Sequence, residues 1–415
     1  MPKDGDKLED SIRDELTQPC LETSIVLFAN TSSGSTKARE YINLNSELHS
    51  IATKNGTVDL YIYHLNDENS KRNGALRCLF LLEKVERLKV MAAGGDGTLI
   101  YVMETLLSFN VNISSIDFGI LPFGTGNDLA SMLGWGRDPK SPIVGKHFTG
   151  LKNSIENWLD AVPMHLDMWN IEIDVQEDGY LEKIAKQPKG FTRETMKNPQ
   201  GEDIKCYKRL MTNYFSIGLD ARIGVGFDKK RTKNKHKNRM IYCWEGFKKI
   251  FCLPSPKVKK ITTSLIEEDS KHIFNNLDGP QNLPPDTTVL LALNSRTYGG
   301  GDHFVWDKAK YKGNKLWNVQ SPRDGLLEFM IYRGSLGLGL EQIFTGRAHK
   351  LHQSQGPFEI NFNDKNNENN RIYMQIDGEY FYAIKPKQVR ISLSEISVTR
   401  QISVLVNSKI IKNVK

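Results

Sequence analysis

Leu88-Lys-Val-Met-Ala-Ala93 is an apolar run of strand length that ends in Gly94-Gly95-Asp96-Gly97-Thr98, and an apolar-rich helical run over residues 99–109 follows directly. A strand passing through glycines into a helix is the unit from which parallel sheets with packed helices are built. Glycines at such a turn let the backbone approach a phosphate closely, and the helix start behind them offers free N–H groups to an anion. A carboxylate set among those amides opposes the anion by charge. A cation or a transferable proton beside Asp96 resolves the conflict, so the residue either holds Mg2+ or accepts the proton of an acceptor hydroxyl. The plainer alternative is a tight turn in which Asp96 caps a helix.

The same pattern occurs a second time, in Leu121-Pro-Phe-Gly-Thr-Gly-Asn-Asp-Leu-Ala130. In a parallel sheet two such turns meet at one edge, beyond the strand C-termini, where ligands bind. Gly124, Thr125, Gly126 and Asn127 then join Gly94, Gly95, Gly97 and Thr98 around a nucleotide's phosphates, with Asp96 and Asp128 as the acids of the site. A third turn, Asn30-Thr-Ser-Ser-Gly-Ser35, adds donors from Asn30, Ser33 and Gly34, although Ser/Gly turns are also ordinary loops. Asp117-Phe118-Gly119 spells a protein-kinase metal motif, but it falls inside a predicted strand with no His-Arg-Asp loop before it, and chance accounts for it.

Strands over residues 24–29, 58–63, 88–93 and 117–121 alternate with a helical pattern over 76–88, which gives an N-terminal α/β domain built on a parallel sheet. Beyond residue 165 the texture changes to short alternating segments rich in Tyr, Ile and Val, at 169–175, 214–219, 289–294, 371–376 and 388–393, the mark of an antiparallel β domain. Polar stretches at 176–205, 255–286 and 363–370 are expected as surface insertions. The domain reading is a tail over 1–22, a nucleotide-binding domain over 23–165, a β-rich domain over 166–405 and a tail over 406–415.

The chain has 415 residues, and its five cysteines are scattered with no Cys-x-x-Cys pair, which favours a reducing, cytoplasmic setting over a zinc module or disulfide framework. No apolar run approaches the roughly 18 residues that span a bilayer. The net charge of +7 equals the seven Lys and Arg that lie between Lys229 and Arg239 with no acid among them. The basicity is a local patch, unlike the field of a nucleic-acid binder. The residues behind it bring Ile241, Trp244, Phe247 and Phe251 near one helical face. A cationic loop with Lys230, Arg231, Lys233 and Lys235 before an aromatic helix suits an anionic membrane surface, and a core helix behind a solvated loop is the bland alternative.

The two glycine turns together resemble the catalytic domain of the diacylglycerol kinases and their sphingosine and ceramide kinase relatives. Gly134-Trp135-Gly136, Leu166-Asp-Met-Trp169 and Asn213-Tyr-Phe-Ser-Ile-Gly-Leu-Asp-Ala-Arg222 are similar to the eukaryotic diacylglycerol kinases in particular. Tyr298-Gly-Gly-Gly301, Asp324-Gly-Leu-Leu-Glu328 and Gln375-Ile-Asp-Gly-Glu379 resemble the family's accessory β domain. The chain departs from the family at the Asn30–Ser35 turn, which lacks its proline and last glycine, at Tyr380 in place of a proline, and in the absence of zinc modules.

The resemblance implies an active site in the interdomain cleft, Mg-ATP as phosphate donor and a diacylglycerol hydroxyl as acceptor, with phosphatidic acid as product. It implies Asp96, Asp128 and Glu379 as catalytic carboxylates, Asp96 and Asp377 as metal ligands, and Asp220 as the contact to the lipid head group. Buried capping (Asp220) and a polar hairpin turn (Asp377, Glu379) are the structural alternatives for these last three. Sphingoid, ceramide or monoacylglycerol kinases, an NAD kinase sharing the first glycine motif, and an inactive lipid-binding scaffold are the rival functions. The partners expected are a lipid and a membrane surface touched peripherally, with no nucleic acid; protein partners stay open.

Overall fold

The computed structural model describes residues 23–411, apart from 33–35, 45, 125, 139–141, 188–189, 231, 233–234, 252–256, 269–270, 278–280, 300–303, 312, 314–315, 342–345, 364–370 and 396–400. The chain forms two compact units, Met1–His165 with Ile402–Lys415, and Leu166–Gln401.

In the first unit β1 (Ser24–Ala29), β2 (Leu48–Thr53), β3 (Gly56–His64), β4 (Leu88–Gly94), β5 (Ile116–Pro122) and β6 (Val162–Asp167) share a seven-stranded sheet with the C-terminal strand Gln401–Val406. β1 pairs in parallel with β3 and β4, and β4 with β5. Every residue of β1 and β5 is buried, as expected of parallel strands covered on both faces. Among the pairings whose direction is known, β2 alone runs antiparallel, as a hairpin with β3 at the sheet edge, where half of its residues are exposed. One core joins Ile25, Leu27, Met91, Leu121, Phe123, Trp158 and Leu405.

The C-terminal strand corrects the expected domain boundary. Ser403 and Val404 pair in parallel with Asp117 and Phe118 of β5, so residues from 402 onward belong to the first unit rather than to the β domain or a tail. A six-residue alternating strand looks alike in either sheet, so its partner is invisible in its pattern. The expected 1–22 tail lies outside the described residues.

The second unit holds a twelve-stranded sheet among the described residues, with every pairing whose register is known antiparallel. Its core packs Trp169, Phe215, Leu290, Phe329, Phe358, Met374 and Ile391. Two expected insertions are strands instead. Residues 176–187 continue the long strand Trp169–Gln187, which pairs with Gly190–Thr195, and Thr262–Glu267 pairs with Lys271–Asn275. The Gly190–Thr195 strand is almost wholly exposed, so no apolar alternation announced it. Most of the Asn-rich stretch, 364–370, lies outside the described residues.

Candidate active site

β4 and β5 are adjacent and parallel, so the turns behind them leave the same end of the sheet. Their backbones are locked together, since Phe123 N and Gly124 N both donate to Gly94 O, at 2.8 and 3.1 Å. A Cβ on Gly124 would sit 2.5 Å from Gly95 Cα, and one on Gly94 would overlap Thr98 Oγ1. Gly124 is therefore required by the close approach of the neighbouring turn's backbone, and Gly94 by the Thr98 side chain packed against it. At Gly126 an added Cβ would meet only Asp128 Oδ2, at 3.8 Å, so this glycine leaves open space.

Asp96 opens the Asp96–Ser108 helix, whose N-cap is Gly95. Its carboxylate does not cap its own helix. Oδ2 accepts the amides of Asp128 at 2.8 Å and Leu129 at 3.1 Å, the start of the Asp128–Met132 helix. The charge conflict anticipated at Asp96 is met by the positive end of the neighbouring helix. Two amides expected to face phosphate are consequently taken by a side chain, whereas the backbone at Gly126 has open space beside it.

Asn127 adopts the left-handed conformation at φ 57°, and its buried amide donates to Gly124 O at 3.0 Å and Arg137 O at 2.7 Å. It shapes the turn from within. Asp128 Oδ1 accepts from Arg137 Nη1 at 3.1 Å, and the same nitrogen reaches Gly126 O at 3.2 Å. Arg137 went unnoticed in the sequence; a cation directly behind Gly134-Trp135-Gly136, a turn's length from Asp128, was its only signal. Asn30 N donates to Ala93 O at 2.9 Å and Asn30 Nδ2 to Thr98 Oγ1 at 3.1 Å, which ties the third turn to the same edge. Asn30 and the buried Thr98 thus organise the turns. Ser33, Gly34 and Thr125 lie outside the described residues.

Asp117, the decoy, is buried on β5. Burial alone would raise its pKa, but hydrogen bonds from Arg87 and Ser403 hold it below the ordinary carboxylate range. It is a structural acid that ties β5 to the C-terminal strand.

The other assigned residues belong to the second unit. Asp377, at φ 49°, spends its carboxylate on four donors. Oδ2 takes Thr212 N and Oγ1 at 2.7 and 2.9 Å, and Oδ1 takes Asn213 N and Tyr214 N at 2.8 and 2.9 Å. Burial pushes its pKa up and those bonds oppose the rise. In this structure its acceptor sites are occupied by protein donors, the surroundings that the hairpin-turn alternative describes. Asp220 is also fully enclosed. Tyr298 Oη and Gln375 Nε2 donate to its Oδ2 at 2.5 Å, Ser216 Oγ joins them, and burial pushes the pKa up. The buried-capping alternative describes its surroundings in this structure. Glu379 is exposed and accepts from Arg209 Nη2 at 2.6 Å, a second cation that sequence reading missed.

Of the basic residues assigned to a membrane, Lys230 donates to Glu245 Oε1 at 2.8 Å. Arg231, Lys233 and the side chain of Lys235 lie outside the described residues. Among the described residues no group of three or more His, Cys, Asp or Glu could hold a metal, and no helix is long and apolar enough to cross a membrane.

Residues 24–156 match the diacylglycerol kinase catalytic domain, and residues 210–380 match the diacylglycerol kinase accessory domain. Diacylglycerol kinase 2 of Arabidopsis thaliana is 29% identical over 319 residues, which cover 73% of this chain and 37% of that protein. Diacylglycerol kinase 4 of the same plant is 25% identical over 316 residues, covering 71% and 62%. Diacylglycerol kinase iota of Homo sapiens is 25% identical over 351 residues, covering 81% and 29%. The chain thus spans under two thirds of the length of these curated relatives.

Proposed function

The chain belongs to the diacylglycerol kinase family, and from that premise we propose that it transfers the γ-phosphate of ATP to the free hydroxyl of diacylglycerol, giving phosphatidic acid and ADP. The observation that carries the proposal is the junction of the two glycine turns, where Asp96 of one turn is hydrogen-bonded to the helix start of the other. That junction fixes a carboxylate beside approachable backbone, which phosphoryl transfer needs more than any covalent group.

In this reading the phosphates lie against the open backbone at Gly126 and the first turn. Asp96 either accepts the proton of the attacking hydroxyl or ligates the metal, and Arg137 holds Asp128 and the Gly126 carbonyl in place. Lone carboxylates fit magnesium, which is commonly bound by one or two of them together with substrate phosphates. When bound there, it would neutralise charge between the phosphates. Glu379 stays a candidate base, held by Arg209. Catalysis is then positioning and charge neutralisation. The substrate is a bilayer lipid, so the protein would meet it at a membrane surface, peripherally, with a cytoplasmic setting part of the same proposal.

The deciding experiment supplies radiolabelled ATP with mixed micelles of diacylglycerol, monoacylglycerol, sphingosine or ceramide, and with NAD as a soluble acceptor. Label in phosphatidic acid is the expected result. Label in another lipid or in NADP reassigns the acceptor, and label in none of them removes the activity.

A further inference from the structure

The Lys235–Phe251 helix is amphipathic in the inverted sense. Among its described side chains, the buried ones are ionic. Glu245 and Lys249 are buried, paired at 2.8 Å, and packed on Gly226 of the Leu219–Asp228 helix, where an added Cβ would lie 2.5 Å from Glu245 Oε2. Lys230 and Lys248 also reach Glu245 Oε1, at 2.8 and 3.1 Å. Burial alone would raise the Glu245 pKa, but the three ammonium groups hold it at about 2, so the Glu245 carboxylate is ionised at every physiological pH.

The outward stripe is the apolar one. Met240 is 73% exposed, Trp244 56% and Phe247 49%, and the Trp244 and Phe247 rings stack at 5.8 Å. Exposed Lys237 heads the same stripe, since positions 237, 240, 244 and 247 follow helical spacing. A soluble helix normally buries such side chains and exposes its lysines.

We infer that the Met240, Trp244 and Phe247 stripe is a docking surface for an anionic lipid bilayer, into whose interface these side chains insert. Two observations choose the bilayer over a protein partner. In sequence the stripe follows directly on the acid-free run from Lys229 to Arg239, whose cations other than Lys230 complement anionic headgroups. An aromatic and methionine face flanked by lysines is also the composition of helices that lie in the membrane interface. The identity of the partner as lipid rests on the proposed kinase activity. Lys230 takes another part, because its bond to Glu245 seats the helix that carries the stripe.

The test is co-sedimentation of the full chain with phosphatidylcholine vesicles, with and without phosphatidylserine, for the wild type and a Trp244→Gln, Phe247→Gln double variant. Both side chains are exposed, so the thermal unfolding midpoint should stay unchanged. The wild type should bind phosphatidylserine vesicles in a salt-sensitive way, and the variant at least about tenfold more weakly. Bromine-labelled acyl chains should quench tryptophan emission in the wild type alone. Equal binding by both proteins, or none by the wild type, overturns the inference. So does self-association in light scattering that the variant abolishes while its vesicle binding persists, which would make the occupant a second copy. Activity on a short-chain diacylglycerol dispersed in neutral detergent is measured in parallel and should be alike in the two proteins. Its absence from both would sink the kinase reading and leave the vesicle result to stand by itself.

Discussion

Asp96 is half-buried at the turn behind β4 and Asp117 is buried within β5, and their hydrogen bonds separate their roles. Asp96→Asn keeps an oxygen that can accept the Asp128 and Leu129 amides, so the fold should survive with a loss of about 1 kcal/mol of charge–dipole stabilisation. Turnover should fall by about two to three orders of magnitude, a usual cost of removing such a group. A variant that keeps wild-type turnover would return Asp96 to the status of a cap. Asp117→Asn should do the reverse, leaving turnover nearly intact while costing about 1–3 kcal/mol, since Arg87 and Ser403 lose a charged acceptor. The pH dependence follows from the depressed native pKa. Asp117 stabilises the fold above the ordinary carboxylate range, and that contribution is lost as pH falls through its lowered native value. The difference in unfolding free energy between wild type and variant should therefore shrink in acid, and a constant difference would show that the ion pair is not its source.

At the scale of elements, the glycine turns divide into a packed part and an open part. Gly94 and Gly124 are filled by neighbouring chain, whereas Gly126 faces space. Gly126→Val should leave the unfolding midpoint close to wild type and raise the KM for ATP by about tenfold or more, because the valine occupies the volume a phosphate would use. An unchanged KM would make the turn structural only. Motif reading found the turns because glycine spacing is a local fact, and the pairing of β4 with β5 then brought them to one edge. It missed Arg209, and the donors that surround Asp377, because which donor reaches a carboxylate depends on chain brought in from elsewhere: Arg209 is 170 residues from Glu379 and Thr212 is 165 from Asp377. The same limit hid the inversion of the Lys235–Phe251 helix, whose periodicity is equal for an inward or an outward apolar face.

At the scale of the whole molecule, the first unit is closed by residues from the end of the sequence. Leu405 lies in its core, Trp135 Nε1 donates to Leu405 O at 2.7 Å, and Asn407 N donates to Leu133 O at 2.9 Å. A chain cut after residue 400 should therefore lose the cooperative unfolding of the first unit, exposing β5 and the apolar surface under the missing strand, while the second unit keeps its own transition. Calorimetry of the truncated and full chains distinguishes this from a cut that leaves both transitions in place.

The sequence by itself determined the two fold types, the two glycine turns and the family, because periodicity and turn chemistry act over a few residues. Tertiary structure alone decided that residues 402–406 complete the first sheet, that Asp96 caps the opposite turn, that Asp377 and Asp220 are sealed by donors, and that Trp244 and Phe247 face outward over a buried Glu245 and Lys249. Each of these is a choice among partners equally compatible with the local pattern, and it is settled by which distant groups satisfy a buried charge or fill a sheet edge.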